Sequence, residues 1–168
     1  MSDDTSLTAR IRSLANHGRA DSSRHHHDQR GRNSRLDTLQ AAVLSAKLRH
    51  LDDQNAMRRA LMRGYRDGLR GTGALLAEHP LAEPVYHLAV VQVPDREAAI
   101  DALDAAGIGW GLHYPVPCHR QTAFRDFADG VLPVTERAAR RILSLPMSPT
   151  LTPAHVDRVS AVLREVLP

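Results

Sequence analysis

Apolar positions along this 168-residue chain fall into two different patterns, one in each half. In the first half the spacing is helical. Leu7, Ile11 and Leu14 stand at i, i+4 and i+7, which predicts a helix over 5–16. Asp3, Asp4 or Thr5 suits its N-cap, and Gly18 suits its C′ position. Residues 19–35 are polar and rich in Arg and His, and predict a loop. Leu36, Leu39, Val43, Ala46, Leu51, Met57 and Leu61 then recur at roughly helical intervals. They predict one long helix from Asp37 to about Leu69, with a polar face or a kink near 52–55. Gly68, Gly71 and Gly73 end it.

The second half changes character. Val85 to Val93 is rich in Val with aromatic residues beside it, and predicts a strand. Pro94-Asp95 introduces a helix whose small apolar face is Ala98, Ala99, Ala102, Leu103 and Ala106, closed by Gly107. Gly109 to Tyr114 predicts a second, shorter strand, stopped by Pro115 and Pro117. A short helix over 134–142 and a third strand from Leu143 to Met147 follow. Thr152 and Pro153 open the last helix as N-cap and N1. Val156, Val159, Leu163 and Val166 form its expected buried stripe. The fold class is therefore α+β: a long N-terminal helical segment, then a small βαβαβα domain with helices on one face of one sheet.

Composition narrows the function classes. No run of 18 apolar residues exists, so no transmembrane helix is expected. The acidic, polar start Met1-Ser2-Asp3-Asp4-Thr5 is not a secretory signal, and a cytoplasmic location is the default. A lone cysteine, Cys118, can make neither an internal disulfide nor a Cys-rich zinc site. The net charge of +3 is small, and the arginines are dispersed among 19 acidic residues, which argues against a nucleic-acid footprint. His25-His26-His27 diverge as consecutive side chains, so they do not make a metal site. Cys118 beside His119 is not a nucleophile pair either, because such pairs meet in space rather than in sequence.

Several ordered motifs together carry a resemblance. Ile11 to Gly18 reads IRSLANHG. Gly31-Arg32-Asn33-Ser34-Arg35-Leu36-Asp37 is followed by Gln40-Ala41-Ala42, Lys47-Leu48, Asn55 and Arg58 to Tyr65. Val85-Tyr86-His87-Leu88, then His113-Tyr114-Pro115-Val116-Pro117 with His119, come next. Leu132-Pro133, Glu136 and Ser144-Leu145-Pro146-Met147 complete the pattern. In this order they resemble the C-terminal portion of the DegT/DnrJ/EryC1/StrS family of pyridoxal-phosphate-dependent sugar aminotransferases, over nearly the whole chain.

The resemblance implies a fold-type I aminotransferase lacking its large cofactor domain. It implies a remnant of that domain's edge and active-site loop in 1–36, a connecting helix in 37–75 and the small domain in 76–168. The implied reaction is amination of a keto sugar linked to a nucleotide, in a site at a dimer interface. By resemblance, Asn33 reaches the phosphate of a neighbouring subunit's pyridoxal phosphate, and Arg35 assists. From the residues alone, Asn33 equally suits an Asx-turn or N-cap, and Arg35 an ion pair with Asp37. By resemblance His113 and Tyr114 line the sugar pocket, with His119 beside them. The alternative for Tyr114 is packing under its loop. Trp110 and Cys118 depart from the family's usual smaller and aliphatic residues.

The chemistry needs a Schiff-base lysine. Lys47 is the sole lysine, and its helical position suits packing or surface rather than catalysis. No catalytic residue is therefore assigned to this chain. The expected partner is a second copy or a full-length family member; the alternative is a non-catalytic dimerisation or binding module.

Overall fold

The computed structural model describes residues 2–20, 25–127 and 130–168; residues 21–24 of the expected loop 19–35 lie outside them. The chain divides into two compact units, Met1–His50 and Leu51–Pro168.

The first unit holds two helices. Helix α1, Thr5–Ala15, is capped by Asp4, whose carboxylate accepts from the Leu7 N–H at 3.0 Å. Its exit differs from the sequence expectation by one residue. His17, not Gly18, is the left-handed residue after the Asn16 cap (φ +63°), and Gly18 follows, also left-handed. The Gly18 N–H donates back to the Ser13 carbonyl at 2.7 Å, the six-to-one bond of a Schellman turn. Helix α2, Thr38–Leu48, opens on a capping box between Asp37 and Gln40. Neither helix buries a residue.

The long helix expected over 37–69 is two helices. It breaks at Arg49 and His50, not near 52–55, and α3 runs Leu51–Gly68. The acidic pair Asp52 and Asp53, which suggested a kink, lies in the first turn of α3, where carboxylates complement the helix dipole.

In the second unit, α3 is followed by β1 (Ala89–Gln92), α4 (Arg96–Ala105), two 3-10 turns (Cys118–Arg120 and Thr122–Phe127), α5 (Pro133–Arg141), β2 (Ile142–Leu145) and α6 (Pro153–Arg164). β1 and β2 pair antiparallel, with Ala89 opposite Leu145 and Gln92 opposite Ile142. The expected strand from Val85 begins only at Ala89, because Tyr86 turns left-handed (φ +52°). The expected middle strand, Gly109 to Tyr114, reduces to one bridge, Gly111 to Ser144. Left-handed Tyr114 (φ +57°) and Pro115 stop it from pairing further.

The core lies where α3, α6 and α4 pack with the two strands. Leu69, Leu103, Leu163 and Val91 are fully buried there, each worth about 1.5–3 kcal/mol of apolar transfer. Tyr65 is buried with them, and its hydroxyl donates to the Pro146 carbonyl at 2.8 Å. Burial pushes its phenol up to about 12. Thr152 and Pro153 cap and start α6 as expected, and Val156, Val159 and Leu163 are buried. Val166 is not: it lies past the helix end and is 37% exposed. No helix among the described residues is long and apolar enough to cross a membrane.

Candidate functional site

In the first unit the loop carrying Asn33 and Arg35 is strapped across the C-terminal end of α1. The last carbonyls of a helix lack partners within it. Here the Arg32 N–H donates to Leu14 at 2.9 Å and the Ser34 N–H to Ala15 at 2.8 Å. The His17 N–H returns a bond to the Arg32 carbonyl at 3.0 Å. The strap lies so close that a Cβ on Gly31 would sit 2.2 Å from the Gly18 nitrogen and 2.5 Å from the Leu14 oxygen. Only glycine permits that approach.

Between these anchored amides Asn33 forms a bridge with Asn16, and its own side chain is exposed. The Arg35 Nε donates to the Asn33 Oδ1 at 3.2 Å. The structure thus joins the two residues for which the resemblance implies a phosphate role. An amide and a guanidinium, both solvent-facing on a backbone fixed at both ends, present several N–H donors with little left to organise.

In the second unit His113 and His119 take different partners. Gly111 exchanges two backbone bonds with Ser144, at 3.0 and 2.9 Å, and this pairing aims the next residues. A Cβ on Gly111 would stand 3.0 Å from the His113 Cε1, so its absence lets the imidazole fold back over the bridge. His113 Nδ1 meets the Ser144 Oγ at 2.8 Å, and Ser144 is buried. An open hollow of about 420 Å³ adjoins them, lined by Leu88, Trp110, His113, Ser144, Leu145 and Pro146. The Trp110 indole N–H is tied to Asp104 at 2.8 Å. Tyr114 is 80% exposed and left-handed.

His119 Nε2 lies 3.0 Å from the Glu136 Oε1, and Arg120 donates to the same oxygen through Nε at 3.1 Å and Nη2 at 2.8 Å. The histidine bond first, and the arginine bonds second, hold the Glu136 carboxyl at about 2, well below the usual carboxylate range. His119 is largely covered, with a tenth of its side chain exposed. It fixes the turn after Pro117 to α5.

Ser144, Glu136 and Arg120 were not read from the sequence as site residues. Ser144 and Glu136 did stand in the motifs that carried the resemblance, so a signal existed. Cys118 is free and exposed. Among the described residues no group of three or more His, Cys, Asp or Glu could hold a metal ion.

A family model described as the DegT/DnrJ/EryC1/StrS aminotransferase family matches residues 1–164. The chain belongs to this family. It is 42% identical over 165 residues to the "Erythromycin biosynthesis sensory transduction protein EryC1" of Saccharopolyspora erythraea, covering 96% of this chain and 44% of that protein. It is 41% identical over 166 residues to a dTDP-3-amino-3,4,6-trideoxy-alpha-D-glucose transaminase of Streptomyces venezuelae, covering 96% and 43%. The crystal structure of S. venezuelae DesV in complex with a ketimine intermediate superposes with a TM-score of 0.90 at 40% identity, covering 99% of this chain and 45% of that one. The chain spans less than half the length of these family members, and what it matches is their C-terminal half. Aminotransferases of the family work with pyridoxal phosphate.

Two ends of that cofactor test the fit. Asn33 and Arg35 suit its phosphate. Its carbonyl end needs an enclosed amine, and Lys47, the sole lysine, is exposed in the last turn of α2. The chain's residues therefore fit the phosphate end and not the covalent end.

Proposed function

We propose that this chain forms the phosphate-facing and substrate-facing part of an aminotransferase that aminates a keto sugar linked to a nucleotide. The Schiff-base lysine then lies outside residues 1–168, and the chain alone is inactive. When bound, pyridoxal phosphate supplies the electron sink for moving the amino group. Asn33 and Arg35 reach its phosphate across a subunit boundary. His113 and Tyr114 face the nucleotide-linked sugar, and His119 holds their turn to Glu136. The active assembly is a homodimer or a heterodimer with a full-length family member, working in the cytoplasm. The observation that carries this reading is the Gly31–Arg35 strap, whose backbone is bonded to α1 while both polar side chains face outward.

Borohydride trapping with added pyridoxal phosphate tests it. The chain alone is expected to yield no labelled lysine. Mixed with the S. venezuelae transaminase, label is expected on that protein's lysine, and Asn33→Ala in this chain should weaken cofactor retention in the mixed species. A labelled Lys47 peptide from the chain alone overturns the reading.

A second reading, a non-catalytic dimerisation module, is favoured by one observation. Leu36, Leu39, Val43 and Leu44 are exposed around a hollow of about 480 Å³ on the first unit. Apolar surface of this kind is usually covered by a partner. A clean monomer in size-exclusion chromatography would argue against both partner-dependent readings.

A further inference from the structure

Three non-glycine residues among those described have left-handed backbones: His17, Tyr86 and Tyr114. Such conformations cost about 1–3 kcal/mol and gather at functional sites. His17 braces the Asn33 strap and Tyr114 follows His113, so two of the three belong to the segments already described. Tyr86 does not.

Tyr86 lies in a cleft of about 410 Å³ in the second unit, against one face of α3. Arg59, Arg63 and Arg66 line it at i, i+4 and i+7, and Glu78 and Glu83 line it as well. The three arginines differ in their engagements. Arg66 is ion-paired with Glu78, donates to the Tyr86 hydroxyl at 3.3 Å and sits 5.9 Å from the ring centroid of Tyr86. The Tyr86 hydroxyl donates on to Glu78 at 2.9 Å. This closed set fixes the cleft wall and consumes the Glu78 charge. Among the described residues Arg59 and Arg63 make no hydrogen bond or ion pair, and Arg59 adds only its positive field at Tyr86. They are one turn apart, where like charges repel by about 0.2–0.5 kcal/mol. Glu83 lines the cleft without pairing to either.

We propose that this cleft binds a phosphate-bearing small molecule, gripped by Arg59 and Arg63 and backed by the clamped Arg66–Glu78–Tyr86 set. Two guanidinium forks one turn apart offer more donors than one carboxylate can accept. A phosphate, with three acceptor oxygens and a charge of about −1.5 to −2, matches the two unpaired cations. The volume is that of a small-molecule site. This inference stands independently of the aminotransferase reading.

Isothermal titration of the intact chain with inorganic pyrophosphate, without cofactor, tests it. Binding is expected, weakening with salt. Arg59→Gln/Arg63→Gln should weaken it at least tenfold, whereas Arg137→Gln, an exposed arginine on α5, should leave it unchanged. Circular dichroism checks that the double variant is folded; Arg63→Gln alone, with a severalfold loss expected, replaces it if it is not. No heat above a sodium chloride blank of equal ionic strength overturns the proposal, and so does affinity unchanged by the folded variant. Either failure leaves the trapping experiment and its outcome untouched.

Discussion

Gly31→Ala adds one methyl group where there is no side chain to move aside. The new Cβ would stand 2.2 Å from the Gly18 nitrogen, 2.5 Å from the His17 carbonyl carbon and 2.5 Å from the Leu14 oxygen. All three are backbone atoms, so no rotamer change relieves the clash, and the strap must lift from α1. Three backbone bonds go with it: Arg32 to Leu14, Ser34 to Ala15 and His17 to Arg32. At about 0.5–1.5 kcal/mol each, the loss is about 1.5–4.5 kcal/mol, confined to the strap. Each 1.4 kcal/mol is a factor of ten, so the Arg32 and Ser34 amides should exchange with solvent about 10- to 1,600-fold faster. Hydrogen exchange read by mass spectrometry or NMR measures this. Amides in α3 and α6 should be unaffected and serve as the internal reference. Unchanged protection at Arg32 and Ser34 would refute the idea that glycine at 31 holds the strap. If Asn33 works as proposed, the same variant should also lose cofactor phosphate affinity in the mixed species.

Two further outcomes follow from the second unit. Ser160 is buried in α6 and its hydroxyl has no partner, while the space a side chain at Gly68 would take lies only 2.6 Å from it. Ser160→Ala removes a desolvated hydroxyl and suits a helix better, so it should raise stability by about 1 kcal/mol in a denaturant titration; a lower midpoint would refute this. Glu136 titrates at about 2 in the folded chain against an ordinary value near 4.5. Its contribution is therefore complete above about pH 4.5 and is lost as pH falls toward 2. Thermal melts across that window should be flatter for Glu136→Gln than for the wild type, and parallel curves would show that the His119 and Arg120 bonds carry no weight.

The parts legible in the sequence were those with a local chemical signal. Asp4, Asp37, Asp95 and Thr152 all cap helices, and each precedes a helical pattern of apolar residues. The parts that were not legible depend on the path of the backbone. Nothing at Arg49 or His50 is a helix breaker, yet α2 ends there. A tyrosine at 86 inside a Val-rich run reads as strand, and only its tertiary ties to Arg66 and Glu78 show why the backbone turns. Gly109 to Tyr114 has strand composition but pairs at a single position, because Tyr114 is left-handed and Pro115 has no amide to give. For the candidate site, the resemblance pointed to Asn33 and Arg35, while the residues alone suited a cap and an ion pair with Asp37, so the Arg35–Asn33 bond came from the fold. The Ser144 and Glu136 partners could not be read either, since they lie 31 and 17 residues from the histidines they hold.

The unequal burial of the two units has a thermodynamic consequence. Every buried hydrophobic side chain among the described residues belongs to Leu51–Pro168, while α1 and α2 are 11-residue helices that bury none. Isolated helices of that length are marginal in water. The stability of folded Met1–His50 then rises by RT ln(1 + [L]/Kd) with the free concentration of any partner that binds it. Concentration thus becomes a folding variable for one unit and not for the other. A denaturation curve of this chain should show two transitions, only the first of which moves when the partner is added.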